Sequence, residues 1–401
     1  MLNNVTIVGA GLAGAEAAII LAKNGYYVKL YECKPKKKLT PYHLDTPAEL
    51  VCNNSMGKIG FSSPLGALIE ELTIMESELV KIAFESRVDD RARLAVNKDV
   101  FSKKVESLMH SLKIEIVRDE VVAVPSDNYV IIATGPLTNL NLLVDISDKY
   151  NLSNYYFSDA NCPIININSV NLSHENVKKC SNDLYVIELS DKVVKDLFNY
   201  LIQTETNAIH NENECYYDNC QTLERVAKSG IDKLVEKKFY QEEFDGSVIL
   251  LRKMSSKDDA FLICGCITAL RNKQQEELFR QVPGLEEIEF YRYGRYHQNT
   301  YFCTPGVLDE FYRVKGTNTF IVGQLSGIDG YLPAIASGLV CANNIIHEKQ
   351  MKPLPSTTMI GALSNHVASG DRVNYMPMSA PFALLSNDYS FEDIIAYKKQ
   401  L

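Results

Sequence analysis

Short apolar runs and helically spaced apolar positions alternate along this chain. Val5-Thr6-Ile7-Val8 is an apolar run that stops at Gly9, and the Ala-rich stretch from Ala15 to Lys23 reads as a helix ending at Gly25. Tyr27-Val28-Lys29-Leu30-Tyr31 follows as a second strand and ends at Glu32. Leu65, Leu68, Ile69, Leu72, Met75, Leu79 and Ile82 recur at roughly helical spacing, which predicts one helix over 64–85. A further helix is predicted over 98–112, with strands at 114–118 and 120–124. Tyr129-Val130-Ile131-Ile132-Ala133 is a buried-type strand that runs into Thr134-Gly135-Pro136. Late in the chain, Thr319-Phe320-Ile321-Val322 ends at Gly323-Gln324, and after Gly327-Ile328-Asp329-Gly330 a small-residue helix spans Ala334 to Ala342.

Between about 150 and 285 the pattern changes. Asn, Ser, Tyr and charged residues alternate with short strands and one clear helix over 191–203. At roughly 150 residues per domain, 401 residues make two or three domains. The pattern therefore predicts a discontinuous first domain, 1–155 and 287–401, enclosing an inserted α+β domain over 156–286.

The first 35 residues carry the most specific local signal. Gly9-Ala10-Gly11-Leu12-Ala13-Gly14 is a G-x-G-x-x-G between a strand and a helix, with a second strand behind it. Gly9 permits the tight turn, Gly11 lets a pyrophosphate approach the backbone, and Gly14 lets helix pack on strand. The helix N-terminus offers free N–H groups and partial positive charge to phosphates. Glu32 lies 18 residues beyond Gly14, where a carboxylate can accept hydrogen bonds from a ribose. The strand ending at Thr134-Gly135 and the late one ending at Gly323-Gln324 suit a flavoprotein of the disulfide-reductase-like type. In that fold a late helix N-terminus meets the flavin, and Ile328 falls in the connecting loop. The fold expected is α/β, a Rossmann-like FAD-binding domain with an inserted α+β domain.

Composition narrows this further. Apolar residues at 46% and charged residues at 23% exclude a disordered chain. A net charge of -9 argues against a blanket cationic nucleic-acid binder and leaves room for a local basic patch. Lys34-Pro35-Lys36-Lys37-Lys38 is the one candidate, and a solvated loop is preferred to an RNA contact. No apolar run approaches the roughly 20 residues of a membrane helix. Ten scattered Cys and no export signal point to reduced thiols in a cytoplasm. His210, Cys215 and Cys220 are too loosely spaced for a zinc site, so no metal is expected. His43 reads as a loop histidine.

At this point the sequence resembles the folate- and FAD-dependent RNA uracil-C5 methyltransferases. The resemblance runs through Val8 to Ala18, then Ala48-Glu49-Leu50-Val51-Cys52-Asn53-Asn54-Ser55, Leu94-Ala95-Val96 and Ile132 to Thr138. It continues through Pro283-Gly284-Leu285, Arg292-Tyr293-Gly294, His297-x-Asn299-Thr300, Gly323-Gln324, Gly330-Tyr331 and Ala336-Ser337-Gly338-Leu339. In the inserted part, Cys220-Gln221-Thr222-Leu223-Glu224-Arg225-Val226-Ala227-x-x-Gly230 is similar to the family's C-M-P-x-E-x-M-A-x-x-G.

The resemblance implies FAD as cofactor, 5,10-methylenetetrahydrofolate as carbon donor and NAD(P)H as reductant. The acceptor it implies is a uridine in structured RNA, the tRNA T-loop or 23S rRNA. Uracil C5 is a poor nucleophile until a thiolate adds to C6, and the C5 proton must later leave. By resemblance Cys220 is the nucleophile and Cys52 the base, while Glu224 either orients one of them or is a structural acid. The family's G-P-x-K-P-V-G-L stretch is replaced by Val235-Glu236-Lys237-Lys238-Phe239-Tyr240, and the glycines before Leu94 by Asp90-Arg91-Ala92-Arg93. That divergence keeps two alternatives open: a flavin NAD(P)H oxidoreductase, and a flavin-bearing RNA-binding factor, both without methylation.

Overall fold

The computed structural model describes residues 4–37, 44–88, 92–205, 221–254 and 259–401. Its first layer is a parallel sheet. Strands β1 (Asn4–Val8) and β2 (Tyr27–Tyr31) flank helix α1 (Leu12–Lys23) in sequence, as the opening pattern predicts. The helix starts at Leu12 rather than Ala15, because Gly11 is its N-cap and Gly14 lies in its first turn. A short antiparallel pair follows, β3 (Ser55–Lys58) with β4 (Arg93–Ala95). The predicted single helix over 64–85 is two helices, α2 (Pro64–Ile74) and α3 (Glu78–Glu85). Apolar spacing continues across the break, but the backbone does not. Glu76 has φ +59°, and the Ser77 side chain accepts from the Val80 N–H as the cap of α3.

Helix α4 (Lys98–Ser111) is capped by Asn97 and leads to β5 (Glu115–Val117). The strand expected at 120–124 does not form. There the Val124 N–H bonds to the Asp145 carboxylate at 2.7 Å instead of to a sheet neighbour. Strand β6 (Tyr129–Ile132) is followed by α5 (Leu140–Tyr150), capped by the Asn139 side chain, which accepts from the Leu142 N–H.

The chain then leaves on β7 (Asn154–Ala160) and builds the second layer. This comprises β8 (Ile164–Asn166), β9 (Val177–Lys179), β10 (Leu184–Leu189), α6 (Asp191–Gln203), α7 (Leu223–Ala227), α8 (Ile231–Leu234), β11 (Ser247–Lys253), β12 (Ala260–Ile263), α9 (Asn272–Phe279) and β13 (Phe290–Arg292). Helix α6 occupies the predicted residues. Strand β14 (Tyr296–Phe302) returns antiparallel to β7 in unbroken register, from Asn154 opposite Phe302 to Ala160 opposite Tyr296. The chain finishes with β15 (Thr319–Ile321), α10 (Tyr331–His347), α11 (Met359–Ser369) and α12 (Phe391–Lys398).

The parallel sheet has the order β15-β6-β1-β2-β5, and a six-stranded antiparallel sheet has the order β13-β8-β12-β11-β10-β9. Each rests on its own apolar core. One draws on residues 5–152 and 302–397, and the other on residues 165–288. This is an α/β Rossmann-like fold of the FAD-binding type. Among the described residues no helix is long and apolar enough to cross a membrane.

Candidate active site at the strand ends

Three adjacent parallel strands end at one place. Beyond β1, β6 and β15 lie Gly9, Ala133 to Gly135, and Val322 to Gly323, held together by Ala133 N–H to Val8 carbonyl at 2.8 Å and Val322 N–H to Ile132 carbonyl at 2.9 Å. Their glycines and the first turn of α1 line a cavity of about 410 Å³. Open α/β sheets place ligands at such strand ends.

Gly9 has φ +103°. A β-carbon on Gly14 would stand 2.0 Å from the Gly9 carbonyl oxygen, so that residue shapes the turn without lining the cavity. Gly11 differs: a β-carbon there meets no protein atom within 4 Å, because it points into the open cradle. Ala10, Leu12, Ala13, Glu32, Thr134, Gly135, Gly323 and Gln324 also line the cavity. The Glu32 carboxylate accepts from the Lys34 N–H at 2.9 Å, which fixes it at the end of β2. Ile328 is fully buried, bridged to Met378, and lies behind the lining. An open glycine cradle, a free helix N-terminus and an acid at the end of β2 form a donor and acceptor set that fits a dinucleotide such as FAD.

Among the described residues of the basic run next to Glu32, each lysine is paired. Lys34 is buried and donates to the Thr46 carbonyl at 2.8 Å, with Glu49 at 3.5 Å. Lys36 and Lys37 reach the solvent side paired with Asp119 at 3.5 Å and Glu120 at 2.6 Å.

Cys52 forms part of the opposite wall, in the loop 44–54 that is tied to the cradle by the Ala48 N–H and Ala10 carbonyl at 2.8 Å. The Tyr331 hydroxyl accepts from the N–H groups of Cys52 at 2.8 Å and Asn53 at 3.1 Å, and donates to the Asn53 carbonyl at 3.0 Å. Burial pushes that hydroxyl well above the ordinary tyrosine range, so it stays a neutral clamp. From the other side Arg292 donates to the carbonyls of Val51 at 3.3 Å, Cys52 at 3.4 Å and Cys162 at 3.1 Å. Asn54 donates to Val96 at 2.9 Å and to Lys253 at 2.7 Å, joining the Cys52 loop to both layers.

Among the described cysteines, two line the cavity: Cys33 and Cys52. Burial and the Glu32 charge push the Cys33 thiol up to about 11. Cys162, Cys266 and Cys341 are buried, and burial pushes all three up, Cys266 to about 12. These are poor nucleophiles.

Cys220 lies outside the described residues, as do Cys215, His210 and His43. Glu224 is buried on α7 and accepts from the Ala269 N–H at 2.8 Å and the Thr268 hydroxyl at 3.0 Å. The divergent stretch 235–240 forms a wide helical turn whose buried Lys238 donates to the carbonyl of Gln221. In the sequence Asn53, Tyr331 and Arg292 stand out only as parts of motifs. Lys98 is buried in the first turn of α4, where a cation opposes the helix dipole.

Residues 4–353 match the family of glucose inhibited division protein A, GidA. The chain belongs to the GidA family. Full-length relatives of this member carry a more specific name. It is 34% identical over 418 residues to the methylenetetrahydrofolate--tRNA-(uracil-5-)-methyltransferase TrmFO of Fusobacterium nucleatum, covering 100% of this chain and 95% of that one. It is 33% identical over 407 residues to TrmFO of Streptococcus pneumoniae, covering 95% and 92%. The GidA fold itself is seen in Aquifex aeolicus GidA, with a TM-score of 0.72 at 15% identity over 100% of this chain and 76% of that one. This GidA-family chain is thus a full-length relative of folate-dependent uracil-C5 methyltransferases.

Proposed function

We propose that the protein is an FAD-dependent RNA uracil-C5 methyltransferase that takes its carbon from 5,10-methylenetetrahydrofolate and its electrons from NAD(P)H. The acceptor is a uridine of structured RNA, in tRNA or in 23S rRNA. The observation that carries this reading is Cys52, clamped by Tyr331 and Arg292 on the wall facing a dinucleotide cradle. Residues 1–155 and 287–401 act as the cofactor domain, with 156–286 as the inserted one.

On this reading Gly9 to Ala13 receive the pyrophosphate on the N-terminus of α1, and Glu32 receives the ribose. Thr134, Gly135, Gly323 and Gln324 border the remainder, Gly14 keeps the turn closed, and Ile328 backs the loop. When bound, FAD supplies the carrier for the one-carbon unit and the hydride that reduces it to methyl.

The chain's own work is done by two thiols. The Cys220 thiolate adds to uracil C6, and the C5–C6 electron pair moves toward O4. C5 would then take up the one-carbon unit that the bound carrier supplies and gives up, and Cys52 would take the C5 proton. Re-forming the C5–C6 double bond expels the Cys220 thiolate. Glu224 acts as a positioning residue: its two bonds to residues 268 and 269 anchor the short helix that follows Cys220.

Purified holoenzyme, ring-labelled RNA transcripts and the folate donor test the reading by nucleoside mass spectrometry. 5-Methyluridine is expected in one RNA class. Cys52→Ala should abolish it while leaving the flavin spectrum intact. NAD(P)H oxidation with no methylated nucleoside in either RNA would replace this reading with the oxidoreductase one.

A further inference from the structure

Asn53 follows Cys52 in the chain, is half-buried, and lines the same wall of the cavity. Its backbone is held on both sides by one hydroxyl: its N–H donates to Tyr331 at 3.1 Å, and its carbonyl accepts from Tyr331 at 3.0 Å. Its side-chain oxygen accepts from the Ser55 N–H at 2.8 Å, closing the turn an asparagine makes with the backbone two residues on. A backbone N–H only donates, so the oxygen of this amide must be the atom on the Ser55 side. The amide nitrogen is thereby turned the other way. It stands 3.9 Å from the Cys52 sulfur and donates to it.

The two described thiols of the cavity are treated in opposite ways. The Cys33 thiol donates to the Glu32 carboxylate at 3.6 Å, a bond that needs its proton. The Cys52 sulfur accepts from an amide, a bond that strengthens when the sulfur is charged. The ionisable groups facing Cys52 from other elements are Arg292 on β13, Lys98 on α4, Tyr331 on α10 and Cys162 beyond β7. On its own loop, Glu49 is engaged by Lys34 at 3.5 Å and by the Leu44 N–H at 3.1 Å. A change of the Asn53 side chain removes none of these groups, and the bonds from its backbone to Tyr331 do not need that side chain.

We propose that Asn53 is a positioning residue whose amide holds the Cys52 sulfur in place and favours its thiolate, the form that accepts the C5 proton. This rests on the reading of Cys52 as the base. Only the thiolate can take a proton, and a donor aimed at the charged form favours that form. In the step itself the C5–H bond breaks and its electron pair closes the C5–C6 double bond. The proton forms the S–H bond of Cys52. The amide then faces a neutral thiol, a weaker acceptor, so the proton is given up to solvent more readily before the next turnover.

The test is iodoacetamide alkylation of Cys52 in the full-length, flavin-loaded protein between pH 5 and 10, followed peptide by peptide by mass spectrometry. Asn53→Ala should raise the alkylation midpoint by about one pH unit, the scale of one hydrogen bond to a charged group. Asn53→Ser, whose hydroxyl can still accept from the Ser55 N–H but which has no amide to offer the sulfur, should raise it as well. Cys33 should be unmoved in both. Methyl transfer by Asn53→Ala should fall by up to about tenfold at pH 7, in kcat rather than KM, and recover as pH rises. A loss that stays constant with pH makes the role of the turn merely structural and overturns the proposal. So does an unmoved midpoint in folded, yellow Asn53→Ala, or in Asn53→Ser where the alanine variant does not fold. If Cys52→Ala still methylates, the base reading falls, whereas the alkylation midpoint continues to report whether Asn53 governs the thiol.

Discussion

Gly11 and Gly14 sit one helical turn apart and lack side chains for opposite reasons. At Gly14 the obstacle is the protein's own backbone, 2.0 Å from the missing β-carbon, whereas at Gly11 nothing of the protein is within 4 Å. Gly14→Ala should therefore destabilise the fold by about 1–3 kcal/mol, the usual cost of overpacking, and flavin content should fall with it. Gly11→Ala should leave the melting temperature of the flavin-free protein unchanged and still cut flavin occupancy, because its methyl occupies the ligand's space. Melting curves and the 450 nm absorbance of the two variants decide this. If Gly11→Ala retains full flavin, the cradle is not where the pyrophosphate sits.

Helices in the first layer are joined by buried carboxylates. Glu16 on α1 accepts from the N–H groups of Glu78 at 3.2 Å and Leu79 at 2.9 Å, at the start of α3. Glu71 on α2 accepts from Met359 at 2.7 Å and Ile360 at 2.8 Å, at the start of α11. Each thus satisfies orphan donors of a helix distant in sequence. Burial outweighs these bonds and pushes both carboxyls up to about 7. An acid raised in the folded state favours folding when protonated, so its contribution is fully present below the ordinary carboxyl range and is lost as pH climbs toward 7. Glu71→Gln has no such term. The stability of this variant relative to the parent should rise between pH 4.5 and 7, by up to about 3 kcal/mol, and urea titrations at several pH values measure it. A pH-independent difference would mean that Glu71 stays ionised throughout.

At the scale of the whole molecule, charge bears on how the proposed RNA acceptor would be met. The net charge is -9, and among the described residues of the run after Glu32 the exposed Lys36 and Lys37 pair with Asp119 and Glu120. On the proposed function, a chain of this net charge would meet RNA through a local cationic patch, so its affinity should fall with salt along a log–log slope set by the few phosphates that patch neutralises. Replacing Lys36 and Lys37 together by Ala should leave both the slope and the RNA affinity unchanged in filter-binding titrations. A marked loss would restore that loop as a contact.

The sequence by itself determined the first β-α-β unit, the strands at 129 and 319, helix α6 and the candidate FAD cradle. Those elements are written in local apolar runs and helical spacing even where, as for the strands at 129 and 319, their sheet partners are far away in the chain, and glycine is demanded there by backbone geometry that any such turn imposes. It also suggested Cys52, but only through its surrounding motif. The break at Glu76, the loss of the 120–124 strand and the floor of the site were decided by tertiary structure. Apolar period cannot register a cap that Glu16 completes from another helix, or a carboxylate at 145 that takes a strand's N–H. Likewise Cys52, Arg292 and Tyr331 come from three segments far apart in the chain and meet through the hydrogen bonds that hold the Cys52 loop. Burial and charge make them a group only after the two layers close on each other, because the electrostatics of a thiol depends on distance in space.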